Sequence, residues 1–368
     1  MGHRTDVCVI GGGPAGLAAA IAASQKGFRV TVADGARPPI DKPCGEGLMP
    51  DALATLRTLG VAVGAEDGCA FRGIRFVDGN NAVEAKFPDG PGLGIRRTVL
   101  HEKMVERAAA LGINFLWNTP VTGICPEGVL ARTELISAKW VIGADGIRSR
   151  VRRWSRLDAH TQNDCRIAYR QHYRLKPWSD YTEIHWAEKK QAYVTAVSRE
   201  EICVTVVSQF PGGRIASTLL EFPALANNLK GADLSSVERG TLTSMHRLER
   251  VCRGSVALIG DASGSVDAIT GEGLCLSFRQ ATALAEAMEA GDLGLYEEAH
   301  RKMAMRPTLM ARLMLILDAH SDVRERVFRA LAHGPQVFAR LLAVHVGATS
   351  PMHFAATSAL LGWRLLAA

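Results

Sequence analysis

The sequence predicts an α/β protein with a Rossmann-like nucleotide-binding domain, an antiparallel sheet inserted in that domain, and a helical C-terminal region. Three observations predict this fold. A strand, a glycine-rich loop, a helix and a second strand open the chain, strand-like segments fill residues 165–210, and apolar helix-forming residues dominate the last quarter. Because 368 residues exceed what one hydrophobic core usually serves, we expect two closely joined domains.

The N-terminal unit predicts a dinucleotide site. The apolar run at residues 7–10 is typical of a buried parallel strand, and the motif G-G-G-P-A-G at residues 11–16 leads into an alanine-rich helix. Glycines permit a tight turn and the close approach of a pyrophosphate, whose charge is stabilised by the helix N-terminus. Asp34 ends the next strand and is expected to accept a ribose hydroxyl. The positions expected at the pyrophosphate are Gly11, Gly13, Pro14, Ala15 and Gly16.

Two later motifs identify the dinucleotide. Residues 141–152 contain a strand that runs into G-A-D-G, and residues 256–263 contain a strand that runs into G-D-A-S. The segment G-E-G at residues 271–273 follows. Together with the N-terminal unit, these motifs resemble the FAD-dependent oxidoreductases that comprise the p-hydroxybenzoate hydroxylase-like aromatic monooxygenases, the flavin halogenases and the geranylgeranyl reductases. The resemblance covers about residues 5–290 and implies a FAD-binding domain of the glutathione reductase type.

This resemblance implies a role for each motif. The first glycines would hold the FAD pyrophosphate and Asp34 the adenosine ribose, while Arg97 would lie near the phosphates and the ribityl chain. Val121 would contact the adenine. Asp261 would bind the ribityl chain, which agrees with the ability of a carboxylate at a strand end to accept polyol hydrogen bonds. The other positions implied at the cofactor or at the NADPH-linked D-G turn are Asp145, Gly260, Gly271, Glu272 and Gly273.

A second signature, P-C-G-E-G-L at residues 43–48, resembles the loop that borders the flavin ring in geranylgeranyl reductases. Two glycines beside an acid and a cysteine suit a loop that passes close to a flat ligand. Gly45 is therefore expected at the cofactor, and Cys44 and Glu46 are candidates for the flavin face or the substrate entrance. The alternative is an ordinary turn with a structural cysteine.

Three features depart from the relatives. Ala268 stands where a proline usually shapes the oxygen-reacting pocket, and no two tryptophans stand one residue apart as in tryptophan halogenases. Residues 191–197 replace the aromatic-rich strand of the isoprenoid-saturating reductases. These departures leave the reaction type open among oxygenation, double-bond reduction and halogenation, with halogenation least favoured.

The middle of the chain predicts the substrate-binding sheet. Its expected strands are residues 165–175, 181–186, 191–197 and 202–210. Because alternate residues of a strand share a face, Gln171, Tyr173, His185, Tyr193 and Thr195 are candidates to contact substrate, although an ordinary core or surface role is the alternative for each. The candidates for a catalytic role are Cys44, Glu46, His185 and Tyr193.

The motifs also set the expected domain limits. These are 1–75, 95–160 and 250–295 for the FAD-binding domain, 76–94 and 161–249 for the sheet domain, and 296–368 for the helical region. No acid follows Glu325, so the tail suits helices packed over the substrate domain, a lipophilic substrate, an acidic carrier protein or a membrane surface. The histidines and proline of the tail argue against a membrane-spanning helix.

Composition excludes other classes. A net charge of +6 is mild, and the five arginines at residues 148–156 are expected on a solvated helix face or near NADPH phosphates, so no nucleic-acid partner is expected. No C-x-x-C pair occurs among the eight cysteines, so no metal is expected, and the reduced chain is expected in the cytoplasm as a monomer or weak homodimer.

These observations favour a FAD-dependent oxidoreductase, most of all an NAD(P)H- and oxygen-dependent monooxygenase that acts on a bulky apolar or aromatic small molecule, free or bound to a carrier protein. NAD(P)H would bind only transiently, since no second G-x-G-x-x-G is present. A reductase of isoprenoid double bonds and a flavin halogenase are the alternatives, and a non-catalytic binding protein of the same fold is a further one.

Overall fold

The computed structural model describes residues 3–79, 81–158, 165–209 and 214–349, which form two eight-stranded sheets with helices around them. In the first, the Rossmann sheet, five strands run parallel in the order 256–258, 134–143, 3–10, 30–33 and 114–116. Its strands are His3–Ile10, Val30–Ala33, Asn114–Leu116, Val121–Cys125, Gly128–Ala131, Glu134–Gly143, Cys252–Arg253 and Val256–Leu258.

Ten helices accompany the sheets in the described part of the chain. They are α1 (Pro14–Gln25), α2 (Pro50–Thr58), α3 (Arg97–Ala110), α4 (Arg150–Trp154), α5 (Ile215–Thr218), α6 (Pro223–Asn228), α7 (Gly273–Ala290), α8 (Leu293–Ala319), α9 (Ser321–Ala332) and α10 (Pro335–His345). Short 3₁₀ helices span Leu219–Glu221, Gly260–Ser263 and Ala268–Thr270. No helix of the described residues is long and apolar enough to cross a bilayer.

The centre of the Rossmann sheet is buried on both faces. Val7, Cys8 and Val9 have no exposed surface, and α1 packs Leu17 and Ile21 into the same core. This explains the continuous apolar run at residues 7–10, since a strand covered by helices on both sides has no solvent-facing positions. The predicted strand–loop–helix–strand unit is thereby confirmed.

The second sheet, called the cap sheet, is antiparallel except for one pair. Its strands are Gly73–Asp78, Asn81–Lys86, Cys165–Arg174, Thr182–Ala187, Lys190–Ala196, Glu201–Ser208, Asp233–Leu234 and Arg239–Ser244. The parallel pair joins Gly73–Asp78 to Thr182–Ala187. The predicted boundary after residue 75 would divide a strand that lies entirely in the cap sheet. The four predicted middle strands are confirmed to within a few residues, apart from Phe210, which lies outside the described residues.

Two smaller sheets connect the large ones. Gly47–Leu48, Gly92–Ile95 and Gly68–Phe71 form a three-stranded sheet, and His246–Arg247 pairs with Gly264–Ser265. The first of these sheets fixes the end of the P-C-G-E-G-L loop against the segment that leads into α3.

The register of the cap sheet assigns its two faces. Tyr193 lies opposite Ile184 and Thr205, and Thr195 lies opposite Cys203, so these side chains share the inner face, toward the Rossmann domain. His185 lies opposite Ala192. It belongs to the outer face together with Gln171 and Tyr173, part of which α5 and α6 cover. The expectation that all five candidates line one substrate face is therefore wrong for Gln171, Tyr173 and His185.

Helices α8, α9 and α10 pack on the inner face near its 73–86 hairpin. Phe76 contacts Phe338, Phe328 and Trp186, with ring centroids 4.8, 6.2 and 5.7 Å apart. The predicted helical C-terminal region is confirmed as far as residue 349. The apolar tail at residues 350–368 lies outside the described residues.

Candidate active site

Nucleotide-binding loops and apolar side chains meet at a cavity of about 1110 Å³. One side, the loop wall, consists of residues 13–15, 42–47, 144–148, 260–261, 271 and 273–274. The other side, the cap wall, consists of side chains from the cap sheet and of apolar side chains from α8, α9 and α10. Several loops of the loop wall follow the carboxyl ends of Rossmann strands, where folds of this type bind their ligands.

Two glycines of the first loop are required by close backbone contacts. Gly11 has a φ of +109°, and a Cβ there would lie 2.4 Å from the Ala144 carbonyl oxygen. A Cβ at Gly16 would lie 1.9 Å from the Gly11 carbonyl oxygen. Gly13 instead lines the cavity, and the nearest atom to its Cβ position is Arg97 Nη2 at 4.0 Å. The N-terminus of α1 therefore has room for an anionic group.

Asp34 and Val121 lie away from the cavity lining. Asp34 Oδ2 accepts a hydrogen bond from the Gly12 N–H at 2.6 Å, and Oδ1 accepts one from the Ala36 N–H at 2.7 Å. Asp34 thus fixes the glycine loop from outside. Val121 is buried at the start of its strand. Their contacts with ribose and adenine stay predictions.

Arg97 and Asp261 present polar groups to the cavity. Arg97 Nε is buried without a hydrogen-bond partner in the described part of the chain. The Asp261 side chain is exposed to the cavity but lies deep in the protein, so desolvation raises the pKa of its carboxyl against the opposing charges of Arg97 and Lys42. A guanidinium N–H without an acceptor among the described residues, near a carboxyl that lines the same cavity, fits a ligand with both phosphate and hydroxyl groups.

The turn that carries Asp261 is held from behind. The Gly260 N–H donates to Gln280 Oε1 at 2.9 Å, and Ser263 Oγ lies 3.0 Å from His300 Nε2. Burial lowers the pKa of His300 to about 4, so its imidazole is neutral at physiological pH. Both supports come from helices α7 and α8, outside the Rossmann strands.

The Asp145 carboxylate, which the sequence predicts at the cofactor, caps the N-terminus of helix α4. Oδ2 accepts hydrogen bonds from the Arg150 and Val151 N–H groups at 2.6 and 3.2 Å, and Oδ1 accepts one from Ser149 Oγ at 2.5 Å. These bonds satisfy the N-terminus of α4. Asp145 also lines the cavity, and a role toward FAD or NADPH stays a prediction.

Glu46 turns its carboxylate into the protein instead of toward the cavity. Its Oε1 accepts hydrogen bonds from the Arg97 N–H at 2.9 Å and from Arg170 Nη1 at 3.0 Å, and Oε2 lies 2.6 Å from His172 Nε2. The side chain has no exposed surface. Because every oxygen has a partner, Glu46 fixes the loop at residues 43–48 to the cap sheet, and a proton-transfer role would require this network to open.

Arg170 extends that network to the surface. Its two terminal nitrogens donate to the two oxygens of Asp41 at 2.8 and 3.0 Å, and Arg239 forms an ion pair with Asp41 in which Nε lies 2.9 Å from Oδ2. On the other side, His172 Nδ1 lies 2.8 Å from Ser236 Oγ. Two cap-sheet strands, Cys165–Arg174 and Arg239–Ser244, therefore bind Asp41 and Glu46, beside and within one loop of the loop wall.

A second buried network surrounds Arg166. Its guanidinium donates to Gln191 Oε1 at 2.6 Å, to Asp318 Oδ2 at 3.1 Å and to Asp267 Oδ1 at 3.3 Å, and Gln191 also donates to Asp318. Burial raises the pKa of Asp318. The network joins the cap sheet, the end of α8 and the segment before Gly271.

Glu272 faces the C-terminal helices, away from the cavity. Arg306 Nη2 donates to its Oε1 at 3.3 Å, and His345 Nδ1 lies 3.5 Å from Oε2. Burial raises the pKa of the Glu272 carboxyl. The neighbouring Gly271 and Gly273 line the cavity, with no atom within 4 Å of their Cβ positions. The two glycines leave space for a ligand at the start of α7, and their contact with the flavin stays a prediction.

The four catalytic candidates occupy different places. Cys44 lines the cavity and its Sγ accepts a hydrogen bond from the Glu46 N–H at 3.4 Å. Tyr193 also lines the cavity, and its hydroxyl donates to the Ile269 carbonyl oxygen at 2.8 Å. His185 Nε2 lies 2.9 Å from Glu183 Oε2 on the outer face of the cap sheet. The structure thus brings Cys44, Glu46 and Tyr193 to the cavity wall and leaves His185 outside it.

Sequence patterns did not single out Arg166, Arg170 and His172. A signal was nevertheless present, because these residues occupy alternate positions of one strand and therefore share the face that binds the loops. Cations repeated along the buried face of a strand require partners. Their carboxylate partners lie more than 100 residues away, so no local pattern could identify them.

Glu46, His172 and Cys203 bring three possible metal ligands within 4.8 Å of one another. Glu46 already has His172 and the Arg170 guanidinium as partners. A cation there would be repelled by Arg170, and burial keeps the Cys203 thiol protonated by raising its pKa. The arrangement therefore serves as a hydrogen-bonding network.

Residues 4–294 match the FAD binding domain family, and the chain belongs to it. The unpaired groups of Arg97 and Asp261 and the open space at Gly13, Gly271 and Gly273 fit FAD, with its pyrophosphate, polyol chain and planar ring. The protein is a FAD-dependent oxidoreductase.

Two curated relatives cover most of the chain. It is 28% identical over 331 residues to menaquinone reductase of Mycolicibacterium smegmatis, across 81% of this chain and 80% of that protein. It is 27% identical over 344 residues to 6-methylpretetramide 4-monooxygenase of Streptomyces rimosus, across 79% and 78%. Among solved structures, the flavin-dependent brominase Bmp2 superposes with a TM-score of 0.79 at 20% identity, across 94% of both chains, which establishes the shared fold.

Proposed function

We propose that the protein transfers electrons from NAD(P)H through FAD to a bulky, mostly apolar substrate, as an oxygen-dependent monooxygenase. The observation that carries the proposal is the continuity of the cavity, in which the loop wall and the cap wall enclose one space. A substrate held against the cap wall would lie beside the group held by the loop wall. Proximity of this kind is the main requirement for flavin chemistry, since the cofactor supplies the reactivity.

The cap wall supports an apolar substrate. Phe76 and Ile184 come from the cap sheet, and Val327, Phe338 and Leu342 come from α9 and α10. Each Å² of apolar surface removed from water contributes about 25 cal/mol, so a hydrocarbon chain or fused rings would be held well here. The same side chains would keep water away from the reacting atoms.

The loop wall supplies binding and orientation. Arg97 would lie against the FAD phosphates, Asp261 would accept hydrogen bonds from the ribityl hydroxyls, and the N-terminus of α7 would stabilise negative charge on the reduced ring. The Glu46 and Arg166 networks would fix the loops on either side of the ring. When bound, FAD supplies the two-electron chemistry.

The proposed reaction consumes one O2 and one NAD(P)H for each product. One oxygen atom forms a hydroxyl group on the substrate and the other leaves as water, while NAD(P)H and one solvent proton supply the two electrons and two protons. The name of the monooxygenase relative supports this reaction. Transient binding of NAD(P)H is in keeping with the single G-x-G-x-x-G motif of the sequence.

The proposal is tested with FAD-loaded protein and a panel of long-chain phenols, polycyclic phenols and prenylated quinones. Compounds that accelerate NAD(P)H oxidation are selected, and oxygen uptake and product mass are then measured. We expect equal consumption of O2 and NAD(P)H and a product heavier by one oxygen atom. Oxidation of NAD(P)H that yields only hydrogen peroxide with every compound would contradict the proposal.

A second candidate is the saturation of an isoprenoid double bond. Similarity to a protein named menaquinone reductase and the place of Cys44 in the cavity wall favour it. Two hydrogens would add across the double bond, with electrons from NAD(P)H and no oxygen consumed. The same panel under argon separates the candidates when each product is reoxidised before its mass is measured. Any quinol then returns to the quinone, and only saturation of a double bond leaves a product heavier by two hydrogen atoms.

A further inference from the structure

Helix α8 exposes an apolar stripe. Met305, Leu309, Leu313 and Ile316 are exposed by 68, 42, 39 and 48%. Their spacing of three or four residues places all four on one face of the helix. Most large apolar side chains of the described chain are buried, so four exposed ones in a single stripe indicate a surface that meets a partner.

The stripe is continuous with the cavity. Leu313 and Ile316 belong to the exposed stripe and also to the cavity lining. Met310 and Met314 of the same helix line the cavity as well. An apolar molecule could therefore pass from the stripe into the cavity without crossing a polar surface.

Cations accompany the stripe. Arg301, Lys302 and Arg312 are exposed on the same helix, and Lys302 is paired with Glu298 at 2.6 Å. From residue 301 to the end of α8 the only acid is Asp318, which is buried against Arg166. Exposed apolar side chains accompanied by Lys and Arg are typical of helices that lie at the interface of an anionic bilayer.

We propose that this face of α8 docks on the surface of an anionic lipid bilayer, from which an apolar substrate enters the cavity past Leu313 and Ile316. A bilayer is favoured over a protein partner because the stripe is a convex helix face that leads into an apolar cavity, and because its charges are positive. The proposal goes beyond the oxidation reaction and is independent of whether oxygen is consumed.

The test is flotation of the FAD-loaded protein with phosphatidylcholine vesicles that contain or lack phosphatidylglycerol. We expect binding to the anionic vesicles and its loss at high salt. A variant with Met305→Gln and Leu309→Gln should bind at least tenfold more weakly. Arg301→Gln and Arg312→Gln should each weaken binding about fivefold, which corresponds to about 1 kcal/mol per cation. The matched control replaces Leu220 and Val237, exposed by 77 and 71% elsewhere, with Gln and should bind like the natural sequence.

Three results would overturn the proposal. The first is absence of binding to anionic vesicles, and the second is equal binding by the Met305/Leu309 variant. The third is a change of oligomeric state in which the natural chain sediments as a dimer and the Met305/Leu309 variant as a monomer, while vesicle binding is unchanged. The stripe would then be an interface between two copies of the chain.

Neither Met305 nor Leu309 lines the cavity, so the flavin content of the variant and its turnover of detergent-dispersed substrate should not change. A failure of docking is therefore distinguishable from a failure of the proposed oxidation.

Discussion

The loop wall and the cap wall enclose the same cavity but depend on different interactions. The loop wall depends on backbone contacts: Gly11 and Gly16, which flank its residues 13–15, are required because a Cβ would collide with a carbonyl oxygen 2.4 or 1.9 Å away. Behind the cap wall, buried side chains pair over long sequence distances. Arg170 reaches Glu46 across 124 residues, and Arg166 reaches Asp318 across 152.

Substitutions in the two walls should therefore impair different properties of the enzyme. A change in the loop wall should affect cofactor binding first, because the loop and the nucleotide share one narrow space. A change in the buried networks should affect folding stability first, because it leaves a charge without its partner in a low-dielectric interior. Four substitutions test this contrast.

The largest expected effect is that of Arg166→Met. Asp267 and Asp318 would stay buried without their cation, so the free energy of unfolding should fall by about 3–5 kcal/mol. Urea unfolding measures the loss. The control is Arg75→Met, whose partner Glu183 lies 3.8 Å away and whose own side chain is 38% exposed, so the loss there should stay below about 1 kcal/mol. Equal losses in both variants would show that the buried Arg166 network contributes no more to stability than a partly exposed ion pair.

The next effect is a pH dependence at His300. Its pKa is lowered to about 4 in the folded chain against about 6.5 when unfolded, so the unfolded state binds the proton more readily. Stability from the neutral imidazole is complete above about pH 6.5 and is lost as pH falls toward 4, by up to about 3 kcal/mol. His300→Gln should therefore flatten the stability curve in this range. An unchanged slope in His300→Gln would contradict the assignment.

The loop wall is tested by Gly16→Ala. The added Cβ must push α1 away from the Gly11 carbonyl oxygen, at a cost of about 1–3 kcal/mol. We expect the FAD dissociation constant, followed by flavin fluorescence, to rise roughly tenfold. Gly123→Ala is the control, since a Cβ there meets only Leu130 Cδ1 at 3.6 Å. Normal FAD affinity in Gly16→Ala would contradict the claim that the close contact of Gly16 with the Gly11 carbonyl oxygen shapes the cofactor site.

The smallest expected effect is that of Tyr193→Phe. The hydroxyl donates to the Ile269 carbonyl oxygen, so its loss should cost about 1 kcal/mol of stability and change kcat by less than about threefold. Once a substrate is known, steady-state kinetics with this variant provides the measurement. A fall in kcat of a hundredfold or more would instead make Tyr193 a proton donor or acceptor in the reaction.

Much of the fold and part of the site could be predicted from sequence because the residues that form them are close together in the chain. The Rossmann unit is encoded locally, since the strand, the glycine loop and α1 are contiguous, and the cap strands alternate visibly. The assignment of His185 to the substrate face failed because strand register, and not periodicity, decides which set of alternate residues faces the flavin domain. The role of Glu46 escaped because its partners Arg170 and His172 become neighbours only in the folded chain.

The proposed function requires that FAD and the apolar substrate share one cavity. This is tested by a visible-absorbance titration of the FAD-loaded protein with a long-chain phenol, for the natural sequence and for Val327→Phe, which narrows the cavity at the cap wall. The control is Val337→Phe, buried at 1% exposure but outside the cavity lining. We expect a saturable flavin shift whose dissociation constant rises about tenfold in Val327→Phe alone, with FAD content unchanged. A flavin spectrum that does not respond, or equal affinity in all three proteins, would contradict the claim.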